Sequence, residues 1–195
     1  LYKNNPQPIG GMTWKVVADG NVVDYTEGGF STTESPLDVC IIGSGFFQVD
    51  TGNGMVYTRN GSFMLDEQGY LYLSGVGRVQ GQNGPIRLGT DQISMDADGT
   101  ITDQNTGNTL GTLKLVDFTN YQTQLAKAEG NVFRANAAPR NTQASVRQRA
   151  LEDSNVDPIS EMTAMMSSER ALQSAAQVLS MYDKLAAKIV EIGPA

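Results

Sequence analysis

The chain of 195 residues carries a net charge of −7, and only 18% of its residues are charged. This acidic balance, without a basic run, argues against a nucleic-acid partner or an anionic membrane surface, because either would require clustered Lys and Arg. Histidine is absent, which removes the commonest general base and metal ligand and argues against a hydrolase, so we expect no catalytic residue, no cofactor and no metal site.

The first predicted region is an extended arm over residues 1–36, in which turn residues alternate with short apolar runs. Asp19-Gly20 lies between two such runs and favours a tight hairpin turn. The chain begins at Leu1 rather than at methionine, so we expect a further segment to precede it. We expect no membrane span, because no stretch approaches the roughly 18 to 20 apolar residues that a bilayer requires.

A globular β-domain is predicted over residues 37–133. Short β-rich runs, such as residues 46–49 and 55–58, are separated by Gly and Asn at intervals of about 8 to 12 residues. Regular spacing of this kind predicts a turn-rich β-sandwich or an irregular barrel. The single cysteine, Cys40, lies in an apolar run, where a small buried hydrophobe is favoured over a reactive thiol.

A return linker is predicted over residues 134–152, where aromatic residues become rare and neither helical nor strand periodicity is clear. Residues 153–195 are predicted to hold an axial helix. Asp157 is a favourable N-cap, Pro158 suits the first helical position and Gly193-Pro194 ends the run, which places the helix at about residues 158–192. The predicted fold is therefore mainly β with one long C-terminal α-helix.

The predicted helix is too long to pack on the β-domain alone. At 1.5 Å per residue it extends roughly 50 Å, whereas a sandwich of short strands spans only about 20 Å. Its apolar side chains follow two runs whose registers differ by a three-residue step near residues 172–179, so the apolar seam moves around the helix. We expect a subunit interface on this face, formed by Met162, Met165, Leu172, Ala176, Leu179, Tyr182, Leu185 and Ile189.

Two other patterns have both a chemical and a structural interpretation. Asp96-Ala97-Asp98-Gly99 resembles part of a calcium loop, but Ser94 and Asn105 stand where carboxylate ligands belong, which favours a hairpin turn. The aromatic residues of the β-domain are compatible with a sugar-binding platform, although core packing is favoured. A carbohydrate-binding β-module or adhesin is therefore kept as the alternative from another functional class.

Two motifs at opposite ends of the chain carry a family resemblance. Residues 35–49, followed by residues 57–63, resemble the start of the globular domain in flagellar rod and hook proteins. Residues 151–157, continued through Glu161-Met162 and Arg170-Ala171, resemble the C-terminal helix signature of the same family. The positions that match these motifs are Leu37, Asp38, Gly43, Gly45, Phe46, Phe47, Tyr57, Arg59, Gly61, Phe63, Leu151, Glu152, Ser154, Asn155, Val156, Met162, Arg170 and Asp183.

The resemblance implies an axial subunit in which an N-terminal and a C-terminal helix pair in an inner tube, with the β-domain outside them. Such subunits polymerise helically around a central export channel and form the drive shaft between motor and hook. The N-terminal partner helix, with its usual Asn-rich motif, is not found in these 195 residues. In this respect the sequence departs from the family pattern.

A single β-domain favours a rod protein over a hook protein. Within the rod, the Arg170-Ala171 pair and the Glu-Ile-Gly ending favour the distal type, with the proximal type as the alternative. The resemblance further implies a location in the bacterial flagellar basal body, reached by export across the cytoplasmic membrane without a cleaved signal peptide. The implied partners are other copies of the chain and neighbouring rod and hook proteins, with no nucleic acid, no membrane insertion and no small-molecule substrate.

Overall fold

The computed structural model describes residues 23–142 and 144–192, with the side chains of the last helix given up to residue 188. Seventeen short strands and two helices lie in this part of the chain. The first eight strands are β1 (Phe30–Thr32), β2 (Val39–Ile42), β3 (Phe46–Asp50), β4 (Met55–Thr58), β5 (Phe63–Leu65), β6 (Leu71–Leu73), β7 (Gly77–Gly81) and β8 (Gly84–Pro85). The remaining strands are β9 (Ile93–Met95), β10 (Thr100–Asp103), β11 (Thr109–Thr112), β12 (Leu115–Asp117), β13 (Leu125–Lys127), β14 (Phe133–Ala135), β15 (Arg140–Asn141), β16 (Ser145–Gln148) and β17 (Ala150–Glu152). The helices are α1 (Tyr121–Gln124) and α2 (Pro158–Ile192).

The largest sheet has ten strands, paired in the order β13-β14-β4-β3-β7-β6-β5, with β12 on β3, β15 on β12 and β8 on β7. The hairpins β3–β4, β5–β6 and β6–β7 join strands that are adjacent in sequence. Glycine makes the first of these turns possible, because Gly52 adopts a φ of 79° that other residues rarely tolerate. Within the described residues the two ends of this sheet do not meet, so the sheet is open. These strands therefore do not close into the irregular barrel that the sequence analysis gave as an alternative to a sandwich.

The hydrophobic core occupies both faces of this sheet. Because successive side chains of a strand point to opposite faces, β3 sends Phe47 and Val49 into one buried cluster and Phe46 into another. The second cluster is largely aromatic, with Phe46, Tyr57 and Phe118 among its members. Tyr25, close to the first described residue, packs against it. Cys40 is fully buried in β2, as the sequence predicts, and burial raises the pKa of its thiol.

Residues 134–152, predicted as a return linker, contain the strands β15, β16 and β17. Strand β16 pairs with β2 and places Val146 opposite Ile41, and both side chains are buried. Strand β17 pairs with β1, so that Ala150 lies opposite Thr32. These strands are short and largely polar, so their sequence has no periodicity that distinguishes them from a linker. The predicted hairpin turn at Asp19-Gly20 lies outside the described residues.

The strands and the segments on either side of them define three parts of the structure. The β-region is residues 30–152, which hold all of the described strands. The lead segment, residues 23–29, precedes β1, and the root segment, residues 153–157, connects β17 to α2.

Helix α2 has the bounds that the sequence predicts. Asp157 caps it, because its carboxylate accepts hydrogen bonds from the Ser160 hydroxyl at 2.8 Å and from the Ile159 amide at 3.1 Å, and these bonds hold the pKa of Asp157 below its ordinary value. The predicted fold class, mainly β with one long C-terminal helix, is confirmed. Within the described residues neither helix combines the length and the apolar character that crossing a membrane requires.

Candidate functional site

Helix α2 is exposed from residue 158 to residue 188, the part of the helix whose side chains are described. Every side chain from residue 158 to residue 188 is exposed, and Leu172, for example, is 72% accessible. Exposed apolar surface of this extent usually marks an interaction site. The large apolar side chains involved are Ile159, Met162, Met165, Met166, Leu172, Val178, Leu179, Met181, Tyr182 and Leu185.

The predicted interface residues lie on two sides of α2. Helical geometry, with 3.6 residues per turn, groups five of them in what we call the first stripe: Met162, Met165, Leu172, Ala176 and Leu179. The second stripe contains Val178, Tyr182 and Leu185 and continues to position 189, whose side chain is outside the described ones. The centres of the stripes are separated by roughly 130° around the helix axis. One uninterrupted helix thus presents apolar surface in two directions, and the role of these residues as an interface stays a prediction.

The lead and root segments run side by side where α2 begins. The amide of Asp153 donates to the Gly29 carbonyl at 2.7 Å. The side-chain amide of Asn155 donates to the Thr26 carbonyl and to the Thr26 hydroxyl, both at 3.1 Å. Gly28 packs so closely that an added Cβ would overlap the Asp153 carbonyl oxygen. The chain therefore enters and leaves the β-region at adjacent points.

Arg59 lies beneath this junction, in the connection between β4 and β5, and only 18% of its side chain is exposed. It forms ion pairs with Glu152, at the end of β17, and with Glu27, in the lead segment. All five of its N–H donors have acceptors: Nε bonds Glu152 Oε2 at 2.6 Å, Nη1 bonds the Gly43 and Gly45 carbonyls at 3.1 Å each, and Nη2 bonds Glu27 Oε1 at 3.2 Å and the Ile41 carbonyl at 3.5 Å. One guanidinium therefore joins the lead segment to the β2–β3 turn and to Glu152, the last residue before the root segment.

Aromatic packing holds the lead segment on the sheet. The Tyr25 ring lies 5.1 Å from Tyr121, 5.4 Å from Phe133 and 6.5 Å from Phe46, measured between ring centroids. These separations fall in the range of favourable aromatic pairs. Burial among the rings raises the pKa of the Tyr25 hydroxyl.

A buried carboxylate lies beside this aromatic cluster. Asp117 accepts hydrogen bonds from the Tyr121 hydroxyl at 2.6 Å, from the Phe118 amide at 2.8 Å and from Arg140 Nη2 at 2.6 Å. Burial by itself would raise the pKa of Asp117, but these hydrogen bonds outweigh it and hold the pKa below its ordinary value. The group is therefore a structural anion that ties β12 to α1 and β15.

Most of the motif residues named from the sequence fall into three groups in the structure. Phe46, Phe47, Tyr57 and Phe63 are core residues, which removes the principal basis for a sugar-binding platform. Gly43, Gly45, Arg59, Glu152 and Asn155 meet at the junction of the lead and root segments. Met162, Arg170 and Asp183 lie on the exposed helix.

Other motif residues hold individual turns and backbone contacts. Asp38 is buried and its carbonyl accepts the Arg149 amide, and an added Cβ at Gly61 would overlap the Val39 carbonyl oxygen. Leu37 packs on the larger core cluster. Leu151 pairs with Ser31 in the β1–β17 ladder, the Ser154 hydroxyl accepts the Val156 amide, and Val156 is exposed.

Sequence reasoning missed Glu27 and the Asp117 network. The Asp117 network could have been found from the sequence, because Asp117 is a carboxylate within the apolar run at residues 113–118 and a buried charge requires partners. Nothing in the neighbouring sequence indicated a role for Glu27.

At the suspected calcium loop, the Gly99 amide donates to the Asp96 carbonyl at 2.9 Å, which is the predicted hairpin turn. Within the described residues, no group of three or more Cys, Asp or Glu side chains is placed to hold a metal ion.

Comparison with known proteins identifies the same family at both ends of the chain. Residues 40–103 match the model of the flagellar hook protein FlgE/F/G D1 domain. Residues 147–192 match the model of the flagellar basal body rod FlgEFG protein C-terminal region.

Individual relatives extend the match between these two segments. The flagellar basal-body rod protein FlgF of Escherichia coli (strain K12) is 35% identical over 185 residues, which cover 86% of this chain and 72% of that protein. FlgG of Bacillus subtilis (strain 168) is 30% identical, with 94% and 77% coverage, and FlgF of Caulobacter vibrioides is 31% identical, with 91% and 74% coverage. The chain therefore belongs to the flagellar basal-body rod protein family, whose members are structural proteins and not enzymes.

Proposed function

We propose that this rod-family subunit polymerises helically through the two stripes of α2 and forms part of the distal rod, the shaft that transmits rotation from the motor to the hook. The observation that carries the proposal is the exposure of α2 from residue 158 to residue 188, with apolar side chains in two directions. Family membership supports the location in the basal body.

Burial of this helix would provide the driving force for association. Each large apolar side chain contributes roughly 1.5–3 kcal/mol when it is fully buried. Ten such side chains are exposed on the described part of α2. Their combined contribution is comparable to or larger than the estimated cost of association, about 4–15 kcal/mol. Contact along only part of the helix would therefore be sufficient for assembly.

The angle between the stripes favours an extended polymer over a closed pair. If the first and second stripes bind different neighbours, each contact joins two different surfaces, and contacts of this kind generate open helical assemblies when the rotation does not close. A single stripe would instead favour a symmetric dimer. Both stripes are on one continuous helix, so a subunit could hold two neighbours in a fixed relation.

The placement in the distal rod is supported by the Arg170-Ala171 pair and by the Glu191-Ile192-Gly193 ending. Relatives named FlgF and FlgG match at similar identity, so the proximal rod is the alternative. Complementation separates the two. The gene should restore swimming to a strain that lacks its FlgG-type rod protein and not to a strain that lacks its FlgF-type protein; the reverse result would assign the protein to the proximal rod.

Export across the cytoplasmic membrane without a cleaved signal peptide is part of the same proposal. Its test is the mass of the subunit recovered from isolated basal bodies. That mass should equal the mass encoded by the whole gene, and a subunit shortened at its N-terminus would refute this part of the proposal.

Assembly through α2 is tested by placing a charge in each stripe of the full-length protein. Leu172→Asp and Leu185→Asp should each abolish swimming and polymer formation, because a carboxylate cannot be buried in an apolar contact without a partner. Gln177→Asp is the matched control, since it introduces the same residue on a third side of the helix. Motility and electron microscopy of basal bodies are the measurements. Normal rods from both Leu variants would refute assembly through these stripes.

A further inference from the structure

The orientation of α2 depends on its root. No described side chain of α2 is buried, so the β-region does not hold the helix from the side. The direction in which the helix leaves is therefore set by contacts of the lead and root segments. These include the β1–β17 ladder, the bond of the Asp153 amide to the Gly29 carbonyl, the bond of the Ser31 hydroxyl to Asp153, the bonds of Asn155 to Thr26, and the contacts of Arg59.

Among these contacts, those of Arg59 reach the most separate parts of the chain. Its three carbonyl acceptors lie in or beside the turn between β2 and β3, whose strands contribute Ile41 and Phe47 to the core of the β-region. Its two carboxylate acceptors lie at the other side of the junction, Glu152 immediately before the root segment and Glu27 within the lead segment. Loss of this one side chain would remove the bonds that link Glu27 of the lead segment and Glu152 to this turn.

The chemistry of the site requires a guanidinium. Arg has five donors in a planar arrangement, whereas Lys has three donors on one nitrogen and cannot reach acceptors on several sides at once. Only 11% of the Glu152 side chain is exposed, so water replaces few of the lost hydrogen bonds. The Nε–Oε2 bond, 2.6 Å, joins two charged groups and is therefore of the strong, charge-assisted type.

We propose that Arg59 is a positioning residue that locks the direction of α2 relative to the β-region, through its simultaneous bonds to Glu27, Glu152 and the β2–β3 turn. The consequence for the rod rests on the proposed function: a shaft that transmits torque needs subunits whose outer and axial parts rotate together. The lock itself is a property of the single chain and can be measured without a polymer.

The test is a distance distribution between two spin labels in the full chain, one at Met64→Cys in β5 and one at Ser174→Cys on α2. Both positions are exposed, and the native Cys40 is fully buried and remains unlabelled in the folded protein. The doubly labelled chain is diluted into unlabelled protein, so that distances between subunits do not contribute. Thermal unfolding followed by circular dichroism is recorded for each variant.

Arg59→Lys should widen the distance distribution about twofold, because the ammonium cannot replace the guanidinium bonds. Arg87→Lys is the matched control: Arg87 is an exposed arginine of the β-region that bonds the Gln68 carbonyl, and its substitution should leave the width unchanged. Glu27→Ala removes one acceptor of Arg59 at a position where 41% of the side chain is exposed, and it should widen the distribution to a smaller extent.

A lower unfolding temperature of Arg59→Lys with an unchanged width would show that Arg59 only stabilises the β-region, and would overturn the proposal. If Arg59→Lys does not fold, Glu27→Ala decides: an unchanged width in this variant would likewise overturn the proposal. The measurement does not depend on polymerisation. Normal rods from Leu172→Asp and Leu185→Asp would refute the proposed assembly. That result would leave the distance distribution of the single chain unchanged.

Discussion

Replacement of the buried Asp117 by Asn should destabilise the β-region and should do so in a pH-dependent way. The carboxylate accepts hydrogen bonds on both oxygens, from Tyr121 and the Phe118 amide on Oδ1 and from Arg140 on Oδ2. Asn retains one oxygen, which can still accept the first two bonds. The NH₂ group of Asn would then face the Arg140 guanidinium, and because both groups are donors, no hydrogen bond could form between them.

The expected loss follows from the bonds that disappear. A hydrogen bond to a charged group contributes roughly 1.5–3 kcal/mol to stability. Arg140 is 59% exposed and recovers hydration when its partner is removed, so the loss should lie at the lower end, about 2 kcal/mol. For a protein of this size, such a loss lowers Tm by about 4–8 °C.

The direction of the pH dependence is fixed by the pKa of Asp117. Hydrogen bonding holds this pKa in the folded protein below the ordinary value of 3.8. The carboxylate therefore stabilises the fold fully above about pH 4, and this contribution is lost as the pH falls through the lower, folded pKa. Asn does not titrate, so the difference between the two proteins should be constant near neutrality and should shrink in acid.

Urea unfolding followed by circular dichroism, repeated from neutral pH to about pH 3, measures this difference. Asp91→Asn is the control, because Asp91 is exposed and the chemical change is the same. Equal stability of wild type and Asp117→Asn at neutral pH would refute the assigned role. A difference that is as large at pH 3 as at pH 7 would refute the link to ionisation.

Two further predictions concern close packing. Gly28→Ala should speed amide hydrogen exchange in β1 and β17, because the added Cβ overlaps the Asp153 carbonyl. Gly29→Ala is the control and should not change the exchange, because the nearest atom to its added Cβ is 3.7 Å away. Equal exchange in both variants would contradict the tight packing of Gly28 at the junction. Cys40 should resist alkylation at about pH 8 until urea unfolds the β-region, because burial shields the thiol and raises its pKa. Rapid alkylation of the native protein would contradict this burial.

Helix α2 could be predicted to the residue because its signals are local. Asp157 and Pro158 mark its start within two positions, and the apolar spacing that continues it is visible in any short window. The hairpin turns of the β-region were predictable for the same reason, as at Asp96-Ala97-Asp98-Gly99. In each case the residues that determine the structure are neighbours in the chain.

The junction could not be predicted in the same way, because its parts are distant in sequence. Strand β1 pairs with β17, and Arg59 lies 32 residues from Glu27 and 93 residues from Glu152 in the sequence. The motif resemblance did include Arg59 and Glu152, but it did not indicate that they touch. Short polar strands such as β15 add to the difficulty, because their propensities are overridden by pairing with distant partners.

The adjacent entry and exit of the chain have a consequence for how such a protein can diversify. Since β1 and β17 are neighbours, the β-region is in topological terms an insertion whose two ends stay a fixed short distance apart, whatever lies between them. Hairpin tips such as the turn at Gly52 lie between strands that are held elsewhere in the sheet and accept added residues at low cost. Descendants of this chain can therefore lengthen or reshape these outward loops while the anchorage of α2 is inherited unchanged.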